Sequence, residues 1–188
     1  MYFFNSHLSE MKQQLRSQGC DLVRTTFLRQ PKDRAISAIF YSDTYTGLDL
    51  AVMPRSDMNQ AVQKYLMEEK HFDNQQLRYL LNNRADTGYP IDGFMELNGY
   101  DHGALEAAKQ ILSTMEYIAF TEDMQAELTH LGEMFHVKQI ASVEVVNAHS
   151  RVADLLNPDT MTLIENRIKG DEAMFDMAKT LRAEQHQS

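Results

Sequence analysis

The sequence holds one cysteine, Cys20, so no internal disulfide can staple the fold, and no charge-stabilising pattern marks that thiol as a nucleophile. Glycine and proline are sparse, eight and four residues, the balance of a globular chain rather than of a linker. No apolar run approaches the roughly 18–20 residues that a bilayer-spanning helix needs. The apolar start, Met1 to Phe4, stops at Asn5 without a basic region and reads as a strand, not as a secretory signal. Positive charge is in deficit: 18 Lys and Arg against 27 Asp and Glu leave a net charge of −9, which excludes a general nucleic-acid binder with its basic stripe. Together these absences predict a soluble, cytoplasmic protein with no nucleic-acid partner and no membrane span.

The chain has 188 residues, 43% of them hydrophobic, enough to bury one sizeable core, and the expectation is a single domain over residues 1–188. Charge is unevenly spread. Residues 1–37 carry six basic side chains (Lys12, Arg16, Arg24, Arg29, Lys32, Arg34) against three acids, whereas the remainder carries 12 basic and 24 acidic residues. A positive pocket in an acidic body suits a small anion and repels long polyanions.

Hydrophobic spacing predicts strands alternating with helices, the mark of an α/β layer. Strands are expected at Tyr2–His7, Asp21–Leu28, Tyr117–Phe120 and Ile140–Val146. Helices are expected near Ser9–Ser17, ended by Gly19, and then from Pro31 to about Thr44, at 57–70 with Ser56 or Asp57 as cap, and at 72–83. Further helices fit Ala104–Thr114, Glu122–Phe135 with Thr121 as cap and Met124, Leu128, Leu131 and Phe135 on one face, 158–168, and 170–184 with a tail that frays after Arg182. The segment Asn82–Gly103 holds four of the eight glycines and reads as a long irregular connection, and Asn147–Arg151 as a polar loop.

The stretch Thr25–Tyr41, TTFLRQPKDRAISAIFY, carries the chemistry. An arginine leaving a buried strand, a proline turn and a serine two turns into the next helix bring a guanidinium and a hydroxyl to one sheet edge, beside the free amides of a helix start. On the helix, Ile36, Ile39, Phe40 and Asp43 share one face while Asp33, Arg34, Ser37 and Tyr41 share another, which separates core from site. Arg29 could clamp a phosphate bidentately and Ser37 could add a neutral donor. The plainer alternative pairs Arg29 with Asp33 and leaves Ser37 bonded to a backbone carbonyl.

Leu28, Arg29, Pro31, Arg34 and Ser37 resemble the 3′-phosphate-binding motif of sulfotransferases that use 3′-phosphoadenosine 5′-phosphosulfate, with Gln30 where that family commonly has Asp. Asp73–Leu81 (DNQQLRYLL) and Tyr117–Leu128 (YIAFTEDMQAEL) are similar to two segments of the glycan-type branch, with Ala119 in place of a usual Gly, and Asn157–Ala178, including Asn166 and Asp171, resembles its closing helices. The likeness runs in order over most of residues 2–180. It implies a partial P-loop-NTPase-like three-layer α/β fold with a short parallel sheet and a helix-rich C-terminal half. It also implies sulfuryl transfer from that nucleotide co-substrate to a hydroxyl or amine of an acceptor such as a carbohydrate, with no metal. Arg29, Ser37 and Arg34 would hold the 3′-phosphate. Asn147, Ser150 and Arg151 fall where the family has a polar lid over the nucleotide, and His7, ending the first strand, where it has a general base.

One family feature is missing from the sequence: no Gly/Ser/Thr/Lys-rich strand-to-helix turn precedes His7, where a 5′-phosphosulfate loop is expected. The expectation is therefore a chain whose start lacks that element, and the runner-up is a non-catalytic nucleotide-binding or interaction module on the same fold. A carboxylate-bridged di-metal bundle, prompted by the Glu-x-x-His spacings of Glu68/His71, Glu127/His130 and Glu133/His136, is set aside because the intervening strands spoil a four-helix core.

Overall fold

A computed structural model describes residues 13–19, 23–41, 50, 53–68, 72–82, 102–137 and 153–185. Two strands, β1 (Thr25–Leu28) and β2 (Tyr117–Phe120), pair in parallel with Thr25 opposite Tyr117 and Leu28 opposite Phe120. Parallel partners require a crossover. Four helices of the described chain lie within it: α1 (Pro31–Tyr41), α2 (Arg55–Glu68), α3 (Gln75–Asn82) and α4 (His102–Ser113). After β2 come a 3₁₀ turn (Thr121–Asp123), α5 (Met124–Met134), a second 3₁₀ turn (Ala153–Leu155), α6 (Pro158–Arg167) and α7 (Lys169–Gln185). Among the described residues no helix is long and apolar enough to cross a membrane.

The strand β2 is covered on both faces, as its unbroken apolar sequence requires. On one side Ile118 and Phe120 meet α3, α4 and α7 through Leu77, Leu81, Ala108, Ile111, Leu112 and Met174, and the Phe120 ring stands edge-on to Phe175 at 5.1 Å. On the other side Tyr117 and Ala119 pack on Leu131 and Met134 of α5. Period-3.6 stripes explain the helices: α4 turns Ala104, Ala107, Ala108, Ile111 and Leu112 inward, all of them buried. A second core joins α1, α2 and α6 through Ile36, Ile39, Met58, Val62, Leu66, Ile164 and Ile168, so the apolar face expected for α1 is the buried one.

The helix predicted near Ser9–Ser17 is described over residues 13–17, and Gly19 ends it at φ +76°, a left-handed conformation that glycine adopts without steric cost. The strand expected at Asp21–Leu28 is shorter than predicted. Its partner begins only at Tyr117, and at Arg24 the ladder gives way to a side-chain clasp in which the Arg24 N–H donates to Glu116 Oε2 at 2.6 Å.

Other differences concern helix ends. Helix α2 starts at Arg55, so Ser56 and Asp57 lie inside its first turn and Ser56 Oγ donates to Asp57 Oδ1 instead of capping. Thr121 opens a 3₁₀ turn and caps nothing; the Phe120 N–H goes to Glu127 Oε1 at 3.1 Å. That bond draws Glu127 inward, so α5 buries Glu127, Leu131 and Gly132 while Leu128 is only half-buried and Phe135 is exposed. Helix α7 does not fray after Arg182 but continues to Gln185, whose side-chain amide donates to the Met115 carbonyl at 2.8 Å. Helix α6 begins where expected, with Pro158 in its first turn and the Asn157 side chain accepting from Thr160 N. The strands expected at Tyr2–His7 and Ile140–Val146 and most of the Asn82–Gly103 connection lie outside the described residues.

Candidate anion-binding site at the end of strand β1

Arg29 follows the last residue of β1, and its main chain is held at both ends by one side chain. The Arg29 N–H donates to Gln76 Oε1 at 2.9 Å, and Gln76 Nε2 donates to the Arg29 carbonyl at 2.8 Å. Gln76 is 9% exposed, so both bonds are largely shielded from water. Gln30 then closes the turn. Its N–H donates to Glu122 Oε1 at 2.6 Å, its side-chain oxygen accepts from Lys32 N at 3.2 Å, and its carbonyl accepts from Arg34 N at 2.9 Å. Gln30 is thus the residue that caps α1, the task a shorter acidic side chain performs at such a position. Through Glu122 it also ties the carboxyl end of β1 to that of β2.

Pro31 opens α1, and the free amides expected at this helix start are partly engaged, that of Lys32 by the Gln30 side chain and that of Arg34 by the Gln30 carbonyl. Ser37 lies two turns along this helix and is half-buried. Among the described residues neither the Arg29 guanidinium nor the Ser37 hydroxyl makes a hydrogen bond or ion pair, so the alternative pairing of Arg29 with Asp33 and of Ser37 with a backbone carbonyl is not formed. Lys32 is engaged instead with Glu165 at 2.7 Å.

Behind the turn lies a buried carboxylate. Asp171, 2% exposed, accepts from Gln76 N at 3.2 Å and Leu77 N at 2.8 Å, capping α3 from the first turn of α7. Burial pushes its pKa up to about 6, against the opposing pull of those two amides and of the Arg34 and Arg78 charges. Arg34 therefore acts on Asp171 from the α1 side. Arg78 donates through Nε to the Asp73 carbonyl, and burial lowers its own pKa.

A second buried network holds the far end of β2. The Tyr117 hydroxyl donates to Glu127, and Glu127 also accepts from Arg182, whose guanidinium lies 5.4 Å from the Tyr117 ring and 5.2 Å from the Phe120 ring. Burial and the bond to Glu127 push the Tyr117 phenol up to about 12. Burial alone would raise the Glu127 carboxyl, but the Tyr117 hydroxyl, the Arg182 guanidinium and the Phe120 N–H hold it below the ordinary range. This engagement commits Glu127 to the fold. Among the described residues no group of three His, Cys, Asp or Glu side chains could hold a metal ion.

Of the residues singled out from sequence, Arg29, Arg34 and Ser37 are described here, while His7, Asn147, Ser150 and Arg151 lie outside the described residues. Gln76 and Asp171 were within resembling segments but carried no assigned part. The Asn-x-Gln-x-Arg pattern that DNQQLRYLL resembles falls on Asn74, Gln76 and Arg78, but it did not show that Gln76 is buried and its neighbour Gln75 only half-buried. Comparison with known protein families, with curated proteins and with solved structures finds no match for this chain.

Proposed function

We propose that the chain is a sulfotransferase-like protein that binds 3′-phosphoadenosine 5′-phosphosulfate at the end of β1 and transfers its sulfuryl group to a hydroxyl or amine of an acceptor such as a glycan. One observation carries the reading: a guanidinium at a parallel strand's carboxyl end and a hydroxyl on the following helix are both without partners among the described residues. That donor set fits a phosphate dianion, which takes a bidentate arginine and a neutral hydroxyl without desolvating an opposing charge. Open α/β sheets bind ligands outside strand carboxyl ends, and helices on both faces of β2 agree with a three-layer, P-loop-like arrangement.

In this reading Arg29 and Ser37 grip the 3′-phosphate and Arg34 adds positive potential beside them. The nucleotide supplies the activated sulfuryl group. The grip is remote from the sulfur, so its value is positioning: binding energy at the distant phosphate holds donor and acceptor in line. His7 takes the proton from the acceptor as the new oxygen–sulfur or nitrogen–sulfur bond forms and the bond to the nucleotide phosphate breaks, with the bisphosphate nucleotide as leaving group. The resemblance assigns Asn147, Ser150 and Arg151 to contacts with the nucleotide's phosphate or adenine.

Titration with 3′-phosphoadenosine 5′-phosphate should raise the melting temperature, and Arg29→Ala should abolish the rise. No rise at millimolar ligand would overturn the reading. A second reading is nucleotide binding without transfer by a module of the same fold. Sulfate transfer to a carbohydrate acceptor, assayed with labelled co-substrate, separates the two.

A further inference from the structure

Arg29 could direct its guanidinium reproducibly only if its own main chain were fixed, yet it lies in the short link between Leu28, the end of β1, and Pro31, the start of α1. Neither regular element holds it. The primary amide of Gln76 does, matching the peptide of Arg29 donor to acceptor and acceptor to donor at 2.9 and 2.8 Å. The main-chain N–H of Gln76 is in turn bound by Asp171 from α7, which fixes the backbone position from which its side chain reaches Arg29. Asp171 is placed by Asn74, whose Oδ1 accepts from Gly170 N at 2.7 Å and Asp171 N at 3.2 Å. The chain of contacts runs from α7 to α3 to the strand end, every side chain in it buried.

We propose that Gln76 is a positioning residue for anion binding, setting the direction of Arg29 through a two-point clasp on its main chain, with Asp171 anchoring the clasp. This rests on the nucleotide-binding reading above. A glutamine whose role is packing alone would need neither of its polar atoms aimed at the same peptide. One carrying the site's geometry needs both, and burying a polar side chain to 9% exposure is otherwise a net cost.

The full chain and its Gln76→Met variant, which keeps length and loses both bonds, are compared by calorimetric titration with 3′-phosphoadenosine 5′-phosphate, well below both melting temperatures. The variant is expected to bind roughly three- to tenfold more weakly, the worth of one or two net hydrogen bonds. Gln76→Leu, which also loses both bonds and adds no charge beside the anion, is expected to bind as weakly as the methionine variant, and it serves alone if the methionine variant does not fold. A lower melting temperature with unchanged affinity would assign Gln76 to stability only and overturn the proposal while leaving the nucleotide reading intact. Failure of the unaltered protein to bind overturns both. Hydrogen exchange at the Arg29 amide reads the clasp without any ligand: faster exchange in either variant supports it, and unchanged exchange overturns it whatever the nucleotide does.

Discussion

Asn74 and Asp171 cap each other's helices: the Asn74 side chain accepts the amide of Asp171 at the start of α7, and the Asp171 carboxylate accepts two amides at the start of α3. Each cap satisfies donors that a helix start leaves without intrahelical partners. Asn74 reaches this position with φ at 45°, a left-handed conformation that asparagine tolerates better than most residues. The two helix starts are therefore fixed against each other before any core side chain is counted, and Arg29 is fixed to them through Gln76.

Gly170 is the tightest point of this junction. A Cβ there would stand 2.9 Å from Asn74 Cγ, closer than real Cβ atoms come, and 3.0 Å from Asn74 Oδ1 and 3.1 Å from Leu77 Cδ2, both tighter than ordinary contact. Gly170→Ala must push Asn74 off its caps, and a loss of about 1–3 kcal/mol is expected from overpacking of this kind. Denaturant unfolding of the variant beside the unaltered protein measures it.

The Asp171 carboxyl gives the same junction a pH signature. Its folded pKa, about 6, lies above the ordinary aspartate value of 3.8, so between these limits the native state binds the proton that the unfolded chain has released. The contribution to stability is fully present below pH 3.8 and is lost as pH rises through about 6. Glu116 and Glu127, both held below the ordinary carboxylate range, act in the opposite sense and lose their contribution as pH falls through their lowered values. Asp171→Asn should flatten the slope of unfolding free energy between pH 4 and 6 and leave the acid limb unchanged. A slope equal to that of the unaltered protein would contradict the assignment.

What the sequence made legible depended on period and on turn chemistry. The strand Tyr117–Phe120 and the helices after Asn157 were readable because an apolar tetrad, a Pro after an Asn cap and repeated i, i+4 spacings each have one physical meaning. The site turn was readable in its residues but not in its supports. Gln76, Asp171 and Glu122 reach it from 47 to 142 positions away in sequence, and a buried polar residue inside a helical pattern looks like an exposed one until its partner is known. Glu127 misled the reading of α5 for the same reason: its carboxylate belongs to Tyr117 and Arg182, and hydrophobic spacing alone favoured Leu128 and Phe135.

The network at Glu127 should be the costlier one to break. Glu127 is 1% exposed and carries the charge that balances Arg182, so Glu127→Ala leaves a guanidinium and a phenol without their acceptor, an expected loss of about 3–5 kcal/mol. Tyr117→Phe removes one donor and keeps the ion pair, for about 1–2 kcal/mol. Alkaline absorbance titration provides a separate check, because the Tyr117 phenol is pushed up to about 12 by burial and by Glu127. In Glu127→Gln one tyrosine should ionise earlier than in the unaltered protein.

Ser37 tests the candidate site without disturbing the fold. Its hydroxyl makes no hydrogen bond among the described residues, so Ser37→Ala should leave the melting temperature within about 1–2 °C, a shift that corresponds to a few tenths of a kcal/mol. If the hydroxyl donates to a bound phosphate, the same variant should weaken binding of 3′-phosphoadenosine 5′-phosphate by about three- to tenfold. Arg29→Lys keeps the positive charge but loses the planar fork, and a larger loss is expected, about ten- to a hundredfold, because a point charge cannot replace a bidentate clamp. The ordering decides the matter: Arg29→Lys below Ser37→Ala below the unaltered protein in affinity is the pattern of a phosphate held by both groups. Equal affinities in all three would place any nucleotide elsewhere on the chain.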